Sequence, residues 1–331
     1  MKTQLNMILE GDTKMSRSLA FREDGTFTIV QFTDLHWKDG QEEDQRTRAL
    51  MEQVLDTERP DLAVFTGDVI YTGEVAPGEP ECESPEQAFR EAVASVEERG
   101  IPWAFVFGNH DTEQRITREE LMQVVLQHRH TVSESGPNHL PGSNYALQVA
   151  DREGNSAVNL YFLDSGSYST NPNVGGYDWI RREQIHWLAA ESDRLNDGEG
   201  GNKLPALAFF HIPLPEYKEV WDTQICYGHK QEQVCSPALN SGVFAALLEM
   251  GDVIGTFCGH DHINDYMGNL YGISLCYGRA SGHNTYGKEG FPRGARLIKL
   301  TEGRPGFETW LRLEDGTPIM EQPVHHPENG Q

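Results

Sequence analysis

Five short segments of this chain end an apolar run with residues that bind metals. They are Asp34-Leu35-His36, Gly67-Asp68, Gly108-Asn109-His110-Asp111, His211 and Gly259-His260-Asp261-His262. Asp34 and His36 are alternate residues, as are His260 and His262, and alternate residues of an extended segment share one face. Singly, each segment reads as something plainer: a turn at Gly67-Asp68, an Asx turn at Asn109, a hydrogen-bonded core histidine at His211. Five such accidents, each just beyond a buried strand, make the poorer explanation. Together the segments offer His36, His211, His260, His262, Asp34, Asp68 and Asn109. Imidazole nitrogen mixed with carboxylate oxygen suits Zn, Mn or Fe. These seven ligands are too many for one ion and fit two ions that share a bridging carboxylate.

Such a centre would reverse the field of the rest of the chain. The 331 residues carry a formal net charge of −24, which repels nucleic-acid polymers and anionic membranes. Two divalent ions bring roughly four positive charges, and Asp34, Asp68 and one hydroxide remove about three, so about one remains to attract a small anionic substrate. Asn109 would ligate without cancelling that charge.

The elements that must position these residues follow from the pattern of apolar runs. Residues 27–34 read as a core strand and Asp44–Arg59 as a helix ended by Pro60. With the strand at 61–66 they make a βαβ unit. A helix is predicted over Glu86–Arg99, a strand over Pro102–Phe107 and a helix over Thr117–Gln127. Strands at 143–150 and 157–163 flank the turn Asp151–Asn155. After the polar loop 166–176 come a helix at Trp179–Leu195, a strand at Leu204–Phe210 and an irregular excursion over Pro213–Pro237. Then follow a helix at Asn240–Met250, a strand at Val253–Cys258 and strands near 270–277, 294–300 and 307–313. The expected fold is a four-layer α/β/β/α sandwich of two mixed sheets flanked by helices. One domain over 26–315 is expected between a poorly ordered arm, 1–25, and a tail, 316–331.

The five cysteines form no Cys-x-x-Cys pair, so a reduced compartment is expected; Cys226 and Cys235 share one loop-like segment and could pair if the protein meets oxidant. Residues 1–25 lack the apolar core of a signal peptide, and no run reaches the roughly 18 apolar residues of a membrane span. A cytoplasmic location is the expectation.

As an ordered set, Asp-x-His, Gly-Asp, Gly-Asn-His-Asp, His and Gly-His-x-His resembles the calcineurin-like metallophosphoesterases. Glu58-Arg59-Pro60-Asp61-Leu62, Gly176-Tyr177-Asp178-Trp179-Ile180, Phe210-His211-Ile212-Pro213-Leu214-Pro215-Glu216 and Gly259-His260-Asp261-His262-Ile263-Asn264-Asp265-Tyr266 look like the purple-acid-phosphatase-like branch of plants and fungi. The resemblance runs from about Phe27 to Ile298. It implies that Asp34, His36 and His262 hold one metal, that Asn109, His211 and His260 hold the other, and that Asp68 bridges them at the roughly 3.5–4 Å usual for such pairs. It implies that His110 faces the phosphoryl group and protonates the leaving oxygen. Asp111 and Asp261 are either orienting partners of ligand imidazoles or exposed turn acids. His283 and Tyr286, in the loop Gly282–Gly287, are candidates to line the pocket. Arg279 and Arg293 either meet an anionic substrate or balance nearby acids.

One position departs from the resemblance. Purple members carry Asp-x-Gly at the first motif and a tyrosine that binds Fe(III) after the second. This chain has His36 in place of that glycine and also has Tyr71 in the tyrosine position. The reading taken here is that His36 ligates and Tyr71 packs beside it. The implied activity is dinuclear metal-dependent hydrolysis of phosphate esters by a metal-activated hydroxide, with a phosphomonoesterase favoured. A phosphodiesterase acting on nucleotide or cyclic-nucleotide esters is the alternative, and a catalytically silent binding protein on the same fold is a third reading.

Overall fold

The computed structural model describes residues 19–140, 142–197 and 203–327. Along the chain, β1 (Leu19–Ala20) and β2 (Thr26–Phe32) precede α1 (Glu42–Glu58) and β3 (Leu62–Thr66). Helices α2 (Pro85–Ala92) and α3 (Ala94–Glu98) lead to β4 (Trp103–Val106) and α4 (Arg118–Gln127). Strands β5 (Tyr145–Ala150) and β6 (Ser156–Phe162) form a hairpin before α5 (Arg182–Leu195) and β7 (Ala206–Phe209). Next come α6 (Glu216–Thr223), β8 (Cys226–Tyr227), α7 (Val243–Met250) and β9 (Val253–Cys258). The chain closes with β10 (Met267–Leu270), β11 (Ile273–Tyr277), β12 (Gly294–Thr301), β13 (Glu308–Leu313), β14 (Pro318–Ile319) and β15 (Val324–His325).

The strands form two mixed sheets, in the orders β1-β5-β6-β7-β9-β11-β10-β8-β15 and β14-β13-β12-β2-β3-β4. Each sheet is buried on both faces, because alternate residues of its central strands enter different cores. In β2, Val30 and Phe32 pack towards α1 and α2, while Phe27 and Ile29 pack between the sheets. In β7, Leu207 and Phe209 point between the sheets, while Ala206 and Ala208 join Leu188 of α5, Tyr217 of α6 and Leu247 of α7. Three cores separate four layers, and the expected α/β/β/α sandwich is what the chain forms.

Several elements differ from expectation. The helix expected over 86–99 breaks at Val93 (φ −92°, ψ 0°), whose buried side chain enters the same core as Phe89 and Val96. The excursion over 213–237 is partly regular: α6 buries Tyr217 and Val220, and β8 pairs with β10. Residues 1–18 of the expected arm lie outside the described residues. The rest of it is structured, since β1 pairs with β5 and Phe21 is buried. The expected tail likewise joins the sheets: β14 pairs with β13, β15 pairs with β8, and the His325 ring stacks on Trp221 at 3.7 Å. Among the described residues no helix is long and apolar enough to cross a membrane.

Strands β2, β3 and β4 run parallel, as do β6, β7 and β9. Asp34, Asp68 and Asn109 follow the carboxyl ends of the first set, and His211 and His260 follow β7 and β9. The site therefore sits where the carboxyl edges of both sheets meet.

Candidate metal centre

All seven candidate ligands are buried, and they come together. Ligand atoms of Asp34, His36, Asp68 and His262 form one group, and those of Asp68, His211 and His260 form a second, with the atoms of each within 4.8 Å of one another. Asp68 belongs to both. Its Oδ2 lies 3.6 Å from His36 Nε2 and 3.1 Å from His211 Nε2. Asn109 completes the second group, its Oδ1 being 3.2 Å from His211 Nε2. Across the sheets, His262 Nε2 is 3.4 Å from Asp34 Oδ1, and the Asp34 carboxylate accepts a hydrogen bond from the His260 N–H at 3.1 Å.

The backbone is bent to present these side chains. Asp34 (φ 54°), His36 (φ 51°), Asp68 (φ 50°) and His260 (φ 78°) all lie in the left-handed region, which costs a non-glycine residue about 1–3 kcal/mol. Hydrogen bonds between strand ends hold the bends: Asp34 N–H to Gly67 O at 3.1 Å, His36 N–H to Asp68 O at 2.9 Å. Two glycines allow the approach. A Cβ at Gly108 would fall 2.1 Å from Asp68 Oδ1, and one at Gly259 would fall 1.9 Å from Thr33 Oγ1 and 2.8 Å from Asp34 Oδ2.

The donor set fits metal ions. Buried His36 Nε2 and Asp68 Oδ2 have no hydrogen-bond partner, a costly state that an ion between them would relieve; His260 turns its Nδ1 to the cluster, 3.2 Å from His211 Nε2. Two of the imidazoles are fixed through their other nitrogen. His211 Nδ1 is 2.8 Å from the Thr66 carbonyl, and His262 Nδ1 is 2.7 Å from Thr285 Oγ1, so Nε2 of each is turned to the cluster. Burial, then the neighbouring His211, pushes His260 down to about 3, and burial drives His36 well below the ordinary histidine value. Both are therefore neutral imidazoles with free lone pairs. Burial opposes charge on His211, but the Asp68 carboxylate outweighs it and raises the ring to about 9. Burial also opposes ionisation of Asp34, yet contact with His262 holds it at about 2. A proton on His211 and a metal ion compete for one lone pair, and Asp68 favours either cation.

His110 stands beside the cluster without belonging to it. Its N–H donates to Asp68 Oδ1 at 2.8 Å, and its Nδ1 lies 2.7 Å from Glu113 Oε2. Burial lowers its pKa, but Asp68 and Glu113 outweigh burial and raise it above the ordinary value. Tyr71 donates its hydroxyl to the Glu74 carbonyl at 2.9 Å and lays its ring on His36, with centroids 5.4 Å apart. It packs and does not join the ligand atoms.

Other expectations are corrected. Asp111 is neither exposed nor bound to an imidazole: it is buried and accepts from the backbone N–H groups of Asp68, Gly108 and Ile70 at 3.0, 2.7 and 3.0 Å. Asp261 is also buried and takes the Tyr277 hydroxyl at 2.6 Å. His283 turns from the site, its Nε2 3.3 Å from Glu314. Tyr286 does line the pocket, stacked on His262 with centroids 4.2 Å apart. Arg279 pairs with Asp265 at 2.5 Å, and Arg293 donates to the carbonyls of Thr285 and Tyr286, so both hold loops. Cys226 and Cys235 are free thiols. Sequence reasoning missed Glu113, Thr285 and Tyr168, whose hydroxyl accepts from Asn109 Nδ2 at 3.2 Å. Glu113 had a signal, a carboxylate three residues after His110 in the same turn; Thr285 sits in the loop already singled out for Tyr286.

Residues 27–264 match the model of the family described as calcineurin-like phosphoesterase. The chain is 38% identical over 344 residues to "Probable inactive purple acid phosphatase 29" of Arabidopsis thaliana, covering 92% of this chain and 86% of that one. It is 34% identical over 329 residues to "Phosphatase DCR2" of Saccharomyces cerevisiae, covering 89% of this chain and 55% of that one. Among solved structures, a dimetal phosphatase from Danio rerio shares the fold, with a TM-score of 0.56 at 14% identity over 86% of this chain and 98% of the other.

Proposed function

We propose that this chain, which belongs to the calcineurin-like phosphoesterase family and is a phosphoric ester hydrolase, acts on phosphate monoesters with the help of bound metal ions. The observation that carries the monoester reading is how the cluster is walled. On the side of the second group, Tyr177 stands edge-on to His260 at 4.3 Å, and Tyr168 is bonded to Asn109. On the other side, His36, His110 and His262 line one cavity of about 360 Å³. A monoester must place one organic group beside the phosphoryl group, and a diester must place two.

Asp34, His36, Asp68 and His262 would hold one ion, and Asp68, Asn109, His211 and His260 the other. Iron, manganese and zinc all suit this donor set. When bound, the ions supply a water of lowered pKa and a positive seat for the phosphoryl oxygens. His110 lines the cavity with Nδ1 engaged by Glu113, which leaves Nε2 as the free position of its ring. As a water oxygen bonds to phosphorus and the ester P–O bond breaks, His110 gives the departing oxygen its proton. Glu113 and the bond from the His110 N–H to Asp68 hold the ring for that transfer.

The word "inactive" in the Arabidopsis name marks the competing reading, a chain that binds metal without turnover. Hydrolysis of p-nitrophenyl phosphate and of its bis ester by iron-, manganese- or zinc-loaded protein decides the matter. Faster turnover of the monoester, lost in Asp68→Asn, is expected. Equal or faster turnover of the diester overturns the monoester assignment. If neither ester is hydrolysed and Asp68→Asn alters nothing, the metal-binding reading takes its place.

A further inference from the structure

We propose that the cavity beside His36, His110 and His262 is a leaving-group subsite for a flat, uncharged or cationic group, and that it disfavours esters bearing further anionic groups. This rests on the phosphomonoesterase reading of the cluster and names the substrate class for it: small aryl phosphates with neutral or basic substituents.

The walls carry the first half of the inference. Two tyrosines, Tyr71 and Tyr286, line the cavity, each stacked on a histidine of the same metal group. Tyr286 remains 53% exposed despite that stacking. It is fixed at three points: its hydroxyl donates to Glu232 Oε2 at 2.7 Å, its carbonyl accepts from Arg293 at 2.8 Å, and its ring rests on His262. A rigid, exposed aromatic face beside the reacting position favours a second flat ring, through apolar contact and offset stacking.

The charges carry the second half. Glu74 and Glu79 line the cavity and are exposed, and the cation that lines it is Lys38, whose ammonium lies 5.3 Å from the centroid of the Tyr71 ring. Lys38 is thus outnumbered by Glu74 and Glu79, and the proton that His110 holds is directed at the departing oxygen rather than at the group it leaves with. Metal ions would draw in the phosphoryl group at the inner end, but two carboxylates meet whatever that group carries. A second phosphate or a carboxylate would be repelled there, whereas an ammonium would be attracted by the carboxylates and by the tyrosine faces.

Phosphonates test this without turnover, because their carbon–phosphorus bond is not hydrolysed. The probes are methylphosphonate, benzylphosphonate and its para-aminomethyl and para-carboxy derivatives, titrated calorimetrically into the metal-loaded full chain. The para-aminomethyl compound is expected to bind at least as tightly as benzylphosphonate, and the para-carboxy compound about tenfold more weakly. Glu74→Gln/Glu79→Gln should remove most of that difference. Tyr286→Leu should reduce the preference for benzylphosphonate over methylphosphonate by about threefold to tenfold. The inference is overturned if the para-carboxy compound binds as tightly as the para-aminomethyl one, if Tyr286→Leu leaves the benzyl preference unchanged, or if benzylphosphonate does not bind. Turnover of phenyl phosphate by the same preparation reports separately on the phosphatase reading. A missing charge order with turnover intact removes the subsite alone, and an intact charge order without turnover removes the catalytic reading alone.

Discussion

Replacing Gly108 by alanine tests whether the ends of β3 and β4 must touch for the centre to exist. A Cβ built there falls 2.3 Å from the Asp68 backbone nitrogen and 2.1 Å from Asp68 Oδ1, whereas ordinary contact begins at 3.4 Å. Turning the Asp68 side chain would relieve the contact with Oδ1 but not the one with the backbone nitrogen, so the two strand ends must part by about 1 Å. That movement strains the bond from Gly108 N–H to Asp111 Oδ2, now 2.7 Å, and the bond from His110 N–H to Asp68 Oδ1, now 2.8 Å. Overpacking costs about 1–3 kcal/mol and each of the two weakened hydrogen bonds about 1 kcal/mol, so a loss of roughly 3–5 kcal/mol is expected. A displacement of about 1 Å of the bridging carboxylate should lower turnover about a hundredfold. The matched control is Gly175→Ala, where a Cβ meets nothing within 4 Å and φ is not positive. Urea unfolding, bound metal per chain and p-nitrophenyl phosphate turnover are measured for both variants. If Gly108→Ala matches Gly175→Ala in all three, the close approach is not what builds the site.

Tyr71→Phe should leave bound metal and turnover nearly unchanged, since the hydroxyl bonds the Glu74 carbonyl; intense visible absorption by the iron-loaded protein, lost in this variant, would show that the phenolate ligates. Glu113→Gln should slow alkyl phosphates by about tenfold to a hundredfold and p-nitrophenyl phosphate much less, because a good leaving group needs little proton donation from His110. An equal loss on both substrates would mean that Glu113 only supports the loop. The buried Asp265 carboxylate has a lowered pKa, burial being outweighed by His229, Arg279 and Arg296. Its stabilising contribution is therefore full above the unfolded carboxyl value of 3.8 and fades as pH falls through the lower folded value. Asp265→Asn should then cost about 3 kcal/mol in urea unfolding at neutral pH and progressively less below that value; a constant difference across the range contradicts the assignment. Chelation should lower the melting temperature, and re-addition of metal should restore it in a concentration-dependent way.

The candidate ligands stand out in the sequence because each follows a strand whose two faces are both buried. Runs such as Leu62-Ala63-Val64-Phe65 and Ala206-Leu207-Ala208-Phe209 are apolar at every residue. A polar residue at the end of such a run stands out, and its burial then needs a cause. The same signal located β2, β4 and β9 and the four layers. It fails for β1, β8, β14 and β15, which are two residues each and show no period. It fails too at α6, whose buried positions within eight residues are Tyr217 and Val220. Within the site, residue type identified what can ligate but not where a loop turns. Asp111 and Asp261 have the chemistry to orient an imidazole, yet one is taken up by three backbone N–H groups and the other by Tyr277. His283 and Tyr286 lie three residues apart, and only Tyr286 lines the cavity, because His283 is drawn to Glu314 and Thr47.

The strained backbone explains why the fold and the centre stand or fall together. Of the seven described non-glycine residues with positive φ, four are candidate ligands, Asp34, His36, Asp68 and His260. Strain of about 1–3 kcal/mol at each persists only where surrounding contacts outweigh it. Those contacts come from other strand ends: Gly67 O and Asp68 O hold the first motif, Asp111 holds the second, and the Asp34 carboxylate holds His260 from the opposite sheet. The third motif also braces itself, Gly108 N–H donating to Asp111 Oδ2 at 2.7 Å. The strained residues Asp34, His36, Asp68 and His260 are each held by a residue of another strand end, so the spacing between the sheets bears on the spacing between candidate ligands. Substitutions in the core between the sheets, at Phe209 or Phe257 for instance, should therefore reduce metal affinity in proportion to how far they let the sheets shift, although neither side chain belongs to either ligand group.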